Sequence, residues 1–243
     1  HNIRIETKDA ANNKSSLSFT IQYKPSSASQ ANPSGKMYYP FMVNVGEGSA
    51  DCEFYIGERG LYDSVQIAYR RSVSANPVVV SAIHTIGAAY IPLQEGLVVR
   101  IKPNFALPSE KMNRVLIQRF AGTKKEIKKA EWQNGWAVAN FNSFGSFQLV
   151  PDETAPEIIP VGFKSGQDMS KASRLLFTAK DNMGSIKNFR AELDGKWLRF
   201  TNDKGKNFIY IFDEQCPPGK HTLKISVADE AGNTAERIFT FTR

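Results

Sequence analysis

The chain has 243 residues, of which 41% are hydrophobic and 11% aromatic, and a formal net charge of +7. That composition supplies one large packed domain or two ordinary ones, and its aromatic and β-branched bias points to β structure. It excludes a membrane-spanning helix, because no apolar run nears the roughly 20 residues a span needs; it also argues against a nucleic-acid binder, because the charge is spread as +3 over residues 1–36, +2 over 37–152 and +2 over 153–243 instead of gathering in one stripe.

The chain opens HNIRIETKDAANN, in which Ile3, Ile5 and Thr7 alternate with polar residues, the pattern of a half-buried strand. Residues 221–243 repeat this opening at an offset of 220. His221 meets His1, Ile225 meets Ile5, Asp229 meets Asp9, Asn233 meets Asn13 and Phe239 meets Phe19. Each copy reads as a hairpin whose strands flank a D-x-x-(G/N)-N turn, where Asp and Asn side chains bond nearby backbone and tolerate positive φ. The C-terminal copy follows a series of earlier strands, whereas the N-terminal copy follows none. Residues 1–23 are therefore expected to be the terminal hairpin of a truncated upstream immunoglobulin-like module, and the chain a piece of a longer polypeptide. The first residues carry no apolar signal-peptide core, so any export signal is expected upstream of His1.

Residues 24–36, KPSSASQANPSGK, have the composition of a linker. Residues 37–150 hold short strand signals, among them MYYPFMVN, VVVSAI, GLVVRIK, NRVLIQRF, GWAVANF and SFQLV, separated by Gly, Pro, Asn and Ser. This is the pattern of a central β-sandwich. PDETAP at 151–156 is a second, proline-stiffened joint. Residues 157–243 give about seven strands, the number for an immunoglobulin-like sandwich, with Asp194-Gly195 as a two-residue hairpin turn. The predicted class is all-β: tandem β-sandwich modules, the last immunoglobulin-like, preceded by the truncated hairpin.

Few residues suggest chemistry. The three histidines are His1, His84 and His221. The first and last are repeat-equivalent, and His84 reads as a packed or edge residue. No H-x-H, H-E-x-x-H, C-x-x-C, G-x-S-x-G or phosphate loop occurs. Cys52 and Cys216 fall in different predicted domains and read as isolated thiols. DEAGN and DNMGS cluster Asp and Asn oxygens, but each loop alone is too short for the 6–8 oxygens that calcium takes, so both read as turns. No catalytic residue, metal or cofactor is expected. One surface is a candidate for polymer binding: TKKEIKKAEW sets Lys124, Lys125, Lys128 and Lys129 beside Trp132, a basic and partly aromatic strip suited to an anionic polymer. The same strip also reads as a solvated hairpin or a single amphipathic turn.

The strings DNMGSIKNFRAELDGKWLRF and YIFDEQCPPGKHTLKISVADEAGNT resemble the end of large bacterial zinc metallopeptidases of the lysostaphin type, the peptidoglycan endopeptidases. Asp181, Asn182, Ile186, Leu193, Asp194, Gly195, Lys196, Trp197, Gly219, His221, Leu223, Asp229, Gly232 and Asn233 match that group's last module, while Gly184-Ser185 reverses its Ser-Gly. GLYDSVQIAY and PLQEGLVVRIKP are similar to its middle module. The family's zinc-binding H-x-x-x-D and H-x-H are absent, so no catalytic residue carries over. The resemblance implies an exported, periplasmic or cell-surface, non-catalytic region serving a catalytic domain upstream in the same polypeptide, with peptidoglycan or another envelope polymer as partner. The alternative is a carbohydrate-binding or adhesin-type module acting without an enzyme.

Overall fold

The computed structural model describes residues 1–22, 35–184, 186–203 and 207–243. The expected linker over 24–36 lies outside them except for Gly35 and Lys36, which open a strand. Within the described residues the fold is all-β, with one short helix.

Strands β1 (Asn2–Lys8) and β2 (Lys14–Thr20) form an antiparallel hairpin. Its turn is built by Asp9. The Asp9 Oδ1 atom accepts the amides of Ala11 and Asn13, each at 2.9 Å, and Oδ2 accepts Asn13 Nδ2 at 2.8 Å. Those hydrogen bonds, the Asn13 side chain contributing most, outweigh a smaller opposing desolvation and hold the Asp9 carboxyl below its usual range. This hairpin forms a compact unit of its own; residues 35–243 form the second.

The central part of the second unit comprises β3 (Gly35–Tyr38), β4 (Asn44–Ser49), β5 (Cys52–Ile56), β6 (Val65–Ser72), β7 (Ile83–Ile86), β8 (Leu97–Ile101), α1 (Ser109–Met112), β9 (Val115–Ala121), β10 (Lys124–Lys129), β11 (Glu131–Gln133), β12 (Trp136–Phe141) and β13 (Gly145–Pro151). Two sheets, ordered β10-β9-β13-β7-β6-β3 and β11-β12-β8-β5-β4, face each other over one core. Strand alternation fills that core. Leu97, Val99 and Ile101 are fully buried, while Val98 and Arg100 point outward. Phe141 and Phe147 meet edge to face across the sandwich at 5.1 Å. Gly46, in mid-strand, is required by packing, since a Cβ there would stand 2.0 Å from the Phe54 ring.

Two expected strands come out differently. MYYPFMVN is split into β3 and β4, because Pro40 has no N–H for the ladder and Phe41 turns the chain at φ 62°. Most of VVVSAI is a buried loop: Val80 N donates to Leu149 O, and Ser81 Oγ accepts Leu149 N, in place of a ladder.

The C-terminal part comprises β14 (Glu157–Pro160), β15 (Gln167–Asp168), β16 (Arg174–Lys180), β17 (Ile186–Leu193), β18 (Lys196–Leu198), β19 (Thr201–Asp203), β20 (Asn207–Ile211), β21 (Lys220–Asp229) and β22 (Thr234–Thr242). Its sheets, β14-β16-β20-β19 and β15-β22-β21-β17-β18, have the strand order of an immunoglobulin-like sandwich. Phe163, Phe177 and Phe239 pack as a ring cluster in its core, with centroids 5.1–5.9 Å apart. Asp194 and Gly195 sit at φ 50° and 80°, the left-handed pair that a type I′ hairpin needs.

Both cysteines are buried and unbridged. Two histidines are buried with opposite electrostatics. His84 is fully buried at the end of a polar chain in which Ser49 bonds Tyr69 at 2.9 Å and Tyr69 bonds His84 Nδ1 at 2.7 Å. Burial pushes its imidazole down to about 4, with Arg71 adding to this and Asp51 opposing it. Burial also works against a charged His221, but here it is outweighed. Asp194 Oδ2 lies 2.7 Å from Nδ1 and Pro217 O lies 2.6 Å from Nε2; both are acceptors, so the pKa is raised.

Opposite pH dependences follow. Between pH 6.5 and about 4 the unfolded chain binds a proton that folded His84 refuses, so stability falls on acidification through that window. His84→Gln should remove a component on the order of 3 kcal/mol from the acid loss seen in urea unfolding curves. His221 contributes stability that is fully present below pH 6.5 and is lost as pH rises through its raised folded value. His221→Gln should therefore lower the urea midpoint at pH 6 and converge on the parent at higher pH.

Candidate functional site

An open groove of about 910 Å³ lies on the outer face of the β11-β12-β8-β5-β4 sheet. Alternation builds it. Every second residue of each strand goes into the core, and the intervening ones line the groove: Glu53 and Tyr55 from β5, Val98 and Arg100 from β8, Val138 and Asn140 from β12, Glu131 and Gln133 from β11. Lys128 and Lys129 from β10 form one wall, and Lys187 and Glu230 of the C-terminal sandwich form another.

The floor is held in place by a charge lattice. Arg100 Nη1 donates to Glu53 Oε2 at 2.6 Å, and its guanidinium lies 5.0 Å from the Trp136 ring centroid. Lys102 approaches the same ring at 4.3 Å. Lys187 pairs with Glu230 at 3.3 Å on the far wall. Tyr55, 41% exposed, leaves an aromatic face open above this floor. Among the described residues, no Ser, Thr, Cys or His lines the groove. The arrangement offers hydrogen-bond donors and acceptors, mixed charge and a stacking ring along an elongated face, which suits reversible binding of a polar chain.

The residues expected from sequence are dispersed. TKKEIKKAEW is not a helical turn but β10 followed by β11, and β10 pairs with β9 through a turn at Gly122, φ 58°. Lys124 and Lys125 are exposed on that hairpin and do not line the groove. Lys128 lines it and lies 6.0 Å from the Phe141 ring. Lys129 also lines it, while its Nζ donates to Ala231 O at 3.0 Å. Trp132 is half-buried: its ring packs against the central core and Nε1 donates to Met112 O at 2.8 Å. Tyr55, Arg100 and Asn140 escaped the sequence reading because they come from three strands. The signal available was the polar half of each alternating strand.

A second constellation lies at the seam of the two sandwiches. Asp152, from the joint expected at 151–156, is 2% exposed. Its backbone N–H donates to Arg114 O at 2.9 Å, its carbonyl accepts Asn233 Nδ2 at 2.8 Å, and its Oδ1 accepts Thr154 N and Asn182 Nδ2. Asp181 and Asp229, from the DNMGS and DEAGN turns, converge on it, and one oxygen from each of the three carboxylates lies within 4.8 Å of the others. Burial is the largest influence on Asp181, and the charges of Asp152 and Asp229 add to it; together they raise its pKa.

No helix among the described residues is long and apolar enough to cross a membrane. No curated protein sequence matches the chain. Among solved structures, an endo-β-1,4-mannanase from Thermotoga petrophila aligns at 13% identity and TM-score 0.31, covering 37% of this chain and 20% of that one. The chain thus spans about a fifth of that enzyme's length. Fibronectin(III)-like modules of Clostridium thermocellum CbhA align at 10% identity and TM-score 0.29, covering 61% and 85%. A polysaccharide lyase aligns at 9% and 0.25, covering 99% and 39%. At these scores the alignments carry no weight for function. Residues 43–152, which span most of the central sandwich that bears the groove, match the family model of the Zu5-like domain.

Proposed function

We propose that this chain is a non-catalytic accessory region of an exported cell-wall peptidase, and that its groove engages peptidoglycan or another envelope polymer. In this reading the two sandwiches position a catalytic domain that belongs to the same polypeptide upstream. The observation that carries the binding role is the groove's chemistry: Tyr55, Asn140 and Gln133 stand among fixed ion pairs on an open sheet face. Of its three carboxylates, Glu53 and Glu230 are each engaged by a cation, so neither is poised as a free acid or base, and Glu131 stands exposed on β11. The peptidase connection rests on the resemblance of the LDGKW and HTLKISVADEAGN stretches to lysostaphin-type enzymes.

The test is co-sedimentation with purified peptidoglycan sacculi at low salt and at about 150 mM, where charges beyond roughly 8 Å are screened. The chain should pellet at both, and Tyr55→Ala with Arg100→Ala should weaken binding by about tenfold. Lys124→Ala with Lys125→Ala should have little effect, since both lie off the groove. Failure to pellet, or binding that vanishes at moderate salt, would overturn the wall-binding role.

A further inference from the structure

Two turns and the joint between the sandwiches, each too short to hold a metal by itself, are folded against one another at the seam. β17 and β21 pair with Ile186 opposite Asp229, which brings the Asp181 turn and the Asp229 turn to the same end of one sheet. The joint leaving β13 delivers Asp152 to that end. Asp152 and Asp229 are 2% and 1% exposed, and Asp181 is half-buried.

Within this group the hydrogen bonding is incomplete in a specific way. Asp229 Oδ1 accepts the amides of Gly232 and Asn233, and its Oδ2 accepts Asn233 Nδ2. Asp181 Oδ2 accepts the amides of Met183 and Gly184. Asp152 Oδ2 and Asp181 Oδ1, however, are buried and accept no hydrogen bond from any protein donor among the described residues. A buried carboxylate oxygen without a partner is costly. Two cations at the seam are turned to a backbone carbonyl instead: Lys129 Nζ and Arg114 Nη1 both reach Ala231 O, on the Asp229 turn, at 3.0 and 3.5 Å.

We infer that Asp152, Asp181 and Asp229 form a calcium site that clamps the two sandwiches together. The donors are all hard oxygens, which suit Ca²⁺ and Mg²⁺ and not the nitrogen- and sulfur-seeking metals. Oxygens within 4.8 Å of one another fit around one ion at the 2.3–2.6 Å that calcium prefers. Calcium also tolerates an irregular shell completed by backbone carbonyls and water, whereas Mg²⁺ demands a near-ideal octahedron. The ion would join the joint, the β16–β17 turn and the β21–β22 turn. That last turn also carries Glu230, so the clamp would fix one wall of the groove. The inference stands whether or not the groove binds a wall polymer.

The experiment uses the whole chain, stripped with EDTA and titrated with CaCl₂ while thermal unfolding is followed. At 1 mM Ca²⁺ and an affinity near 10 μM, Tm should rise by about 5–10 °C, and EDTA should reverse the rise. Tb³⁺ emission sensitised through the aromatic residues should report the same binding directly and be displaced by Ca²⁺. Asp181→Asn keeps the shape of the turn and should weaken Ca²⁺ binding by tenfold or more. Asp9→Asn removes the equivalent charge from the isolated N-terminal turn and should leave the Ca²⁺ response unchanged. If the Asp181→Asn chain fails to fold by far-UV circular dichroism, Asp152→Asn takes its place in the comparison. Absence of both the Tm rise and Tb³⁺ binding overturns the site, as does a response that survives in the aspartate variants at the seam. A larger response to Mg²⁺ than to Ca²⁺ overturns the assignment of the ion.

Discussion

Much of the architecture hangs on the seam at Asp152. Two sandwiches joined only by a proline-flanked strap are expected to move freely, because interfaces between neighbouring domains are generally small and polar. Here the strap is built into both partners. The Asp152 amide donates to Arg114 O in the central sandwich, and Asp152 accepts side-chain bonds from two turns of the C-terminal one through Asn182 and Asn233. This comes at an electrostatic cost. Two ionised carboxylates whose oxygens lie within 4.8 Å repel by about 3.5 kcal/mol or more at an effective dielectric near 20, and the seam collects three. A contact so unfavourable in charge and so well ordered in hydrogen bonding calls for a compensating positive charge.

The groove depends on that seam. Its floor belongs entirely to the central sandwich and its far wall to Lys187 and Glu230 of the C-terminal one. Rotating one sandwich against the other would open the groove and leave only a flat, charged sheet face. Arg100 shows how the floor is kept rigid. The Glu53 carboxylate and the Trp136 ring hold its guanidinium from two sides, which fixes a long side chain that would otherwise sample many rotamers. A rigid floor and a positioned wall reduce the ordering cost of binding a flexible polymer.

Features that depend on neighbours in sequence were legible. The two D-x-x-(G/N)-N hairpins, the left-handed Asp194-Gly195 turn and the alternating strands all follow from local chemistry, and the all-β class follows from those. Features that depend on which strand lies beside which were not. Trp132 reads in sequence as a surface aromatic beside four lysines, yet its indole turns inward to Met112 because it lies opposite Ala137, whose side chain faces the core. VVVSAI has the composition of a strand, but Ser81 and Val80 take their bonds from β13 singly. The groove draws on five strands between residues 53 and 140, and no linear pattern gathers them.

The repeated turn shows how far local sequence determines function. Asp9 and Asp229 make the same bonds to the amides two to four residues on and to the Asn side chain that closes the turn. In the hairpin those bonds complete the structure: Asp9 faces water, its charge is solvated, and its carboxyl is an ordinary cap held ionised by its donors. At the seam the same cap is dry and stands beside two more carboxylates from residues 77 and 48 positions earlier, and half-buried Asp181 is pushed the opposite way, first by burial and then by that company. The motif supplies a carboxylate in a fixed orientation and nothing more. Whether that carboxylate ends a turn or helps to hold an ion is decided by what the rest of the fold brings to it, and only the C-terminal copy is brought two other acids.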